Sequence, residues 1–194
     1  MSKGQAKLIE YVLTISFSVI ILIGVTTMIY SFYITAIRTD AEKSLQELSI
    51  QVADNILKLY KNAKDSKAQP ANSSSILIGE IDLSLPSHVS RRNYEIVLIS
   101  SNPIWANIIN FTVDGQNVSN IIKTSGAKIV ARTTQTPFVT VEYDVPNIDV
   151  GVQGRSVNGA DSKLSCYRYN FNGTVYDKIV LGSSDILVDI TSIS

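Results

Sequence analysis

The sequence predicts an α+β protein, with one long N-terminal α-helix, half membrane-spanning and half amphipathic, leading into an antiparallel β-sandwich. Three observations carry that expectation. Residues 8–37 are apolar except for Glu10. Neither Pro nor Gly occurs from Val25 to Gln69, where apolar residues recur at spacings of three and four. From residue 76 onward, short runs rich in Val, Ile, Tyr and Thr alternate with turn residues.

The first element is the apolar run. Residues 11–37 carry no charge over 27 positions, roughly 40 Å of helix against roughly 30 Å of bilayer hydrocarbon, enough to span with some tilt. The run is too long for the apolar core of a cleaved secretory signal, about 7 to 15 residues, so it is expected to stay in the mature protein. Lys3 and Lys7 precede it and place the N-terminus in the cytoplasm by the positive-inside bias, with the remainder facing outward. Glu10 interrupts this pattern. A charge costs on the order of 2.5 to 3.5 kcal/mol at the centre of a membrane helix and less near its end, so Glu10 needs either headgroup water or a partner.

The order Lys3-Gly4-Gln5-Ala6-Lys7-Leu8-Ile9-Glu10-Tyr11 is a short basic leader, a small residue, then a carboxylate at the head of an apolar helix. It resembles the class III signal peptide of type IV pilins in an archaeal form, and the resemblance extends over roughly the first 60 residues. Archaellins typically lack a carboxylate here, which favours a pilin. The resemblance implies a leader of residues 1–5, cut on the cytoplasmic side by a prepilin peptidase acting around Gly4, Gln5 and Ala6. A cut after Gly4 makes Glu10 the sixth mature residue, and a cut after Gln5 makes it the fifth, the family's position. It further implies that Glu10 pairs with the terminal amine of a neighbouring copy. The partners implied are the membrane, other copies of the chain, an assembly ATPase and a platform protein. The mature form would be an extracellular filament on the cell surface, its β-domain immunoglobulin-like.

After the filament-core segment of residues 6–37, the helix is expected to continue through residues 38–63. Leu45, Leu48, Val52, Ile56 and Leu59 form one apolar face, and charged residues such as Glu47, Asp54 and Lys61 occupy the rest. Only about two heptads are present, too few for a coiled coil, so the stripe is expected to pack on the chain's own downstream domain. Residues 64–75, with Pro70 and no periodicity, read as a linker.

In the β-domain, residues 76–194, strands are expected at 76–85, 94–100, 108–113, 118–122, 128–132, 138–143, 164–169, 174–181 and 186–190. Asp114-Gly115 and Asn172-Gly173 lie between such runs, where the positive φ of two-residue hairpins favours Asn/Asp-Gly pairs. Val139, Val141 and Tyr143 alternate with Thr140 and Glu142, as in a half-buried strand.

Composition narrows the function. Lys+Arg and Asp+Glu balance at 17 each, and the basic pair Arg91-Arg92 is the one local concentration, so nucleic acid is not an expected partner. The single cysteine, Cys166, forbids an internal disulfide, and its place in a strand marks it as a small buried residue. His88, the only histidine, follows Pro86 in a turn, and Asp144, Asp149 and Asp161 lack calcium-loop spacing. No catalytic, cofactor or metal site is expected. Four sequons begin at Asn72, Asn110, Asn117 and Asn172; about two or three would arise by chance in so Asn/Ser/Thr-rich a chain. Asn72, in the linker, is the favoured glycosylation site, and Asn110 sits within a strand. Two functions remain: a filament subunit, or a single-pass anchored β-domain such as a minor pilin or envelope-binding protein.

Overall fold

The computed structural model describes residues 3–71, 74–101, 108–113, 116–121, 126–160, 162–171 and 173–182. The chain divides into two units, Met1–Asp40 and Ala41–Ser194. A single helix, α1 (Lys3–Asp65), supplies nearly all of the first and the opening segment of the second. It is followed by β1 (Ser74–Asp82), β2 (Tyr94–Ser101), β3 (Ile108–Val113), β4 (Gln116–Ile121), β5 (Gly126–Thr133), β6 (Thr140–Pro146), β7 (Gly151–Val157), β8 (Lys163–Phe171) and β9 (Thr174–Leu181). The expected linker is shorter than predicted, because α1 persists to Asp65 and β1 begins at Ser74.

The expected all-antiparallel two-sheet sandwich, immunoglobulin-like by resemblance, is replaced in the described residues by one seven-stranded mixed sheet and a separate β3–β4 hairpin. The sheet order is β1-β8-β9-β7-β2-β5-β6, and β7 runs parallel to β9 while the other pairs are antiparallel. The physical reason is that the layer closing the core on one side is α1. Its stripe of Ala41, Leu45, Leu48, Val52, Ile56, Leu59 and Ala63 is buried in one cluster with Ile96, Leu98, Ile129, Val152, Leu164, Cys166 and Ile179 of the sheet. Each fully buried Leu or Ile of that stripe contributes about 1.5 to 3 kcal/mol by leaving water. Ser49, also buried there, donates its hydroxyl to the Leu45 carbonyl at 2.8 Å and so places no unpaired polar group in the core.

Two polar contacts tie the helix to the β-domain, one to the β6–β7 connection and one to strand β8. Tyr60 donates to Asp149 Oδ1 at 2.6 Å, and this bond, the largest cause, raises the Tyr60 pKa above its ordinary value. At the other contact Arg168, on the core face of β8, receives the end of α1. Its Nη1 donates to the carbonyls of Ser66 at 2.8 Å and Ala68 at 2.9 Å, and its Nη2 to that of Ala63. These are carbonyls at or just past the last turn, where an α-helix runs out of intrahelical donors.

Strand β7 was absent from the sequence-based expectation and stands near the middle of the sheet. It reads GVQGRSV, without apolar alternation. Gly154 explains the glycine: its φ is 127°, and a Cβ there would lie 2.1 Å from the Leu181 carbonyl oxygen of β9. Only a residue with no side chain permits that approach. Both expected hairpins form, with Val113 paired to Gln116 and Phe171 to Thr174; Gly173 has φ 78°. The strand expected at 186–190 lies outside the described residues.

Candidate functional site

In the first unit, residues 8–33 present their large apolar side chains outward on every side of the helix, from Leu8 at 69% and Tyr11 at 73% to Tyr33 at 62% exposure. Many are β-branched and so are mediocre helix formers in water. What suits them to a helix is an apolar medium, in which backbone groups have no other partners. The hydroxyls obey the same constraint. Thr14, Ser16, Ser18, Thr26, Thr27 and Thr35 each donate to the carbonyl four residues back, at 2.8 to 2.9 Å, so no hydroxyl of this set needs an external acceptor. Gly24, the one glycine of the run, has nothing within 4 Å of where a Cβ would stand. This helix is long and apolar enough to cross a membrane.

Glu10 stands at the head of that surface. It is exposed, its backbone carbonyl accepts the Thr14 hydroxyl at 2.9 Å, and among the described residues its carboxylate makes no ion pair. Lys7 precedes it by three residues on the same side of the helix. The backbones of Gly4, Gln5 and Ala6 belong to the first turns of α1.

The sequons are distributed as follows. Asn72 and Asn172 lie outside the described residues. Asn110 is in β3 and Asn117 in β4, and their two sequons lie opposite one another in register, Asn110 against Ser119 and Thr112 against Asn117. This register is the one that the two-residue hairpin expected at Asp114-Gly115 implies, with Val113 against Gln116.

Other polar groups have structural partners. His88 contacts the Ser87 hydroxyl at 3.1 Å and borders a cleft with Ser44, Glu47, Gln51 and Pro86. Asp149 is the acceptor for Tyr60, and Asp161 lies outside the described residues. Among the described residues no group of three or more His, Cys, Asp or Glu side chains is placed to hold a metal. Cys166 is fully buried, and that burial pushes its thiol pKa up to about 12, which leaves essentially no thiolate near neutrality.

Three buried charges escaped the sequence reading. Glu95 is 2% exposed and held between Arg132 and Arg155 from the flanking strands. Arg168 binds Asp177 through two bonds of 2.7 and 2.8 Å. Lys178 is 6% exposed, and burial lowers its pKa to about 8. Glu95 and Arg168 make hydrogen-bonded pairs, the form in which buried charge is tolerated. Such pairing belongs to a scaffold, and the chemically distinctive surface of the chain is the exposed apolar helix headed by Glu10. Compared with models of known protein families, with curated proteins and with solved structures, the chain has no match.

Proposed function

We propose that this chain is the structural subunit of an archaeal type IV pilus-like filament, made as a single-pass membrane precursor and polymerised through its N-terminal helix. The observation that carries the proposal is the all-round exposure of the apolar side chains of residues 8–33, with a single carboxylate at their head. Monomeric soluble proteins do not leave so large an apolar surface uncovered. Lipid covers it in the precursor, and copies of the same helix cover it in the filament. Glu10 then meets the terminal amine of a neighbouring copy after a prepilin peptidase has cut beside Gly4, Gln5 or Ala6. An assembly ATPase and a platform protein supply the work, and glycans on Asn72 or other sequons decorate the outer surface.

The test is Glu10→Ala, with filaments scored by negative-stain microscopy and membrane insertion by fractionation. Loss of filaments with insertion intact supports the pairing. Normal filaments from the variant refute it, and an unsubstituted chain that stays a single subunit under every condition refutes the polymer. The mass of the mature N-terminal peptide locates the cut.

A further inference from the structure

Within the second unit, the side of α1 turned away from the sheet is polarised along its length. Between residues 41 and 54 it exposes three carboxylates against one lysine, and between residues 58 and 65 three lysines against one aspartate, net charges of two negative and two positive. The helix macrodipole does not account for the acidic stretch, because that effect fades within the first turn and these acids lie far from Lys3, where the helix begins. Only Lys64 of the three lysines lies in the last turn. On the same ridge, Ile50 and Leu57, one heptad apart, are 39% and 43% exposed.

A ridge of this kind rejects an identical ridge set beside it in register, since acid then faces acid and lysine faces lysine. Displacing one parallel copy by two heptads, about 20 Å at 1.5 Å per residue, lays acidic stretch on basic stretch and keeps the same side of each helix facing the other. Glu47 of one copy then stands beside Lys61 of the next. We propose that the ridge is a contact between copies of this chain, staggered in this way, and that it sets the register of the filament. The proposal rests on the filament function above. The occupant is a second copy because, between the parallel helices of a filament, the ridge is complementary to itself after displacement, the acidic stretch of one copy meeting the basic stretch of the next.

The test is zero-length carbodiimide cross-linking of filaments grown from a mixture of light and 15N-labelled chains, read by mass spectrometry. A mixed-isotope cross-link between Glu47 and Lys61 is the expected result. Independently, Glu47→Lys and Lys61→Glu should each cut filament yield about tenfold at low salt, and the double reversal should restore it. Both positions are exposed, so circular dichroism of the variants should match the unsubstituted chain. Abundant filaments from both single reversals, or a cross-link found only within one chain, overturn the stagger while leaving the polymer standing. Absence of filaments from the unsubstituted chain overturns both.

Discussion

The contact between Arg168 and the end of α1 has a cost that follows from the geometry. Arg168 is 7% exposed. It holds Asp177 in a bidentate pair at 2.7 and 2.8 Å and donates to three carbonyls at the close of the helix. Arg168→Met keeps the apolar stem and removes the donors, leaving the Asp177 carboxylate, itself only 16% exposed, without its counter-charge. Breaking one side of such a pair costs about 3 to 5 kcal/mol. For a unit the size of Ala41–Ser194, each kcal/mol moves the melting temperature by about 2 to 4 °C, so a loss of roughly 6 to 20 °C is expected. The assay is thermal unfolding of the full chain in detergent, followed by circular dichroism. Asp177→Asn should cost less, because the guanidinium still serves the carbonyls. Combining Arg168→Met with Asp177→Leu should recover part of the loss, since the stranded carboxylate is gone but the helix carbonyls still lack their donor. A change under about 1 kcal/mol for Arg168→Met would show that the clamp does not hold helix to sheet, and strict additivity in the double variant would show that Arg168 and Asp177 are not coupled.

Three further outcomes follow from the core. Gly154→Ala forces a Cβ to 2.1 Å from the Leu181 oxygen at φ 127° and should cost more than about 4 kcal/mol; Gly173→Ala, with open space at φ 78°, should cost only about 1 kcal/mol. Cys166 should resist alkylation by iodoacetamide until the chain unfolds, so its labelling rate should track denaturant-induced unfolding; fast labelling of the native chain would contradict its burial. Lys178 has a folded pKa near 8 against an ordinary 10.5, so between those values the unfolded chain binds more protons and folding stability rises with pH. The destabilisation, fully present below pH 8, is roughly 3 kcal/mol by 1.36 kcal/mol per unit. Cys166 acts in the opposite sense, since its raised pKa gives stability below pH 9 that is lost as pH climbs toward 12. The Lys178 contribution is therefore measured as the difference between the unsubstituted chain and Lys178→Met across pH 8 to 10.5, which should shrink or reverse as pH rises.

What the sequence made legible and what it did not divide along physical lines. The helix stripe was readable because Leu45, Leu48, Val52, Ile56 and Leu59 repeat at the helical period, and all five are buried. The turn glycine Gly173 was readable because its positive φ restricts the residue types that fit it. Strand β7 was not, because its place between β2 and β9 comes from its neighbours and its own residues are small or polar. Alternation likewise indicates a buried face but not how many sheets share the core, so an antiparallel sandwich was expected where the described strands form one mixed sheet under α1. Arg168 left one faint signal: it shares the parity of Leu164 and Cys166, which puts a cation on the core face of its strand. Of the candidate site, the apolar run and Glu10 were visible in full, and the opposed register of the Asn110 and Asn117 sequons was implicit in the two-residue hairpin expected between them.

The apolar segment raises a question of driving force that bears on any polymer. Lipid tails and the side chains of neighbouring copies are nearly equivalent apolar media, so moving residues 8–33 from a bilayer into a bundle of helices gains little hydrophobic free energy. The hydroxyls of Thr14, Ser16, Ser18, Thr26, Thr27 and Thr35 contribute no more, since they are already satisfied on their own helix. Preference for the bundle must then come from close packing and from polar groups treated differently by the two media. In the apolar half the charged group of this kind is Glu10, whose charge is costly beside lipid and compensated beside a cation. In the second unit it is the charged ridge, which between parallel copies is complementary after displacement. Neutralising Glu10 should therefore shift the balance toward the membrane, and raising salt should weaken the ridge while leaving the apolar bundle intact.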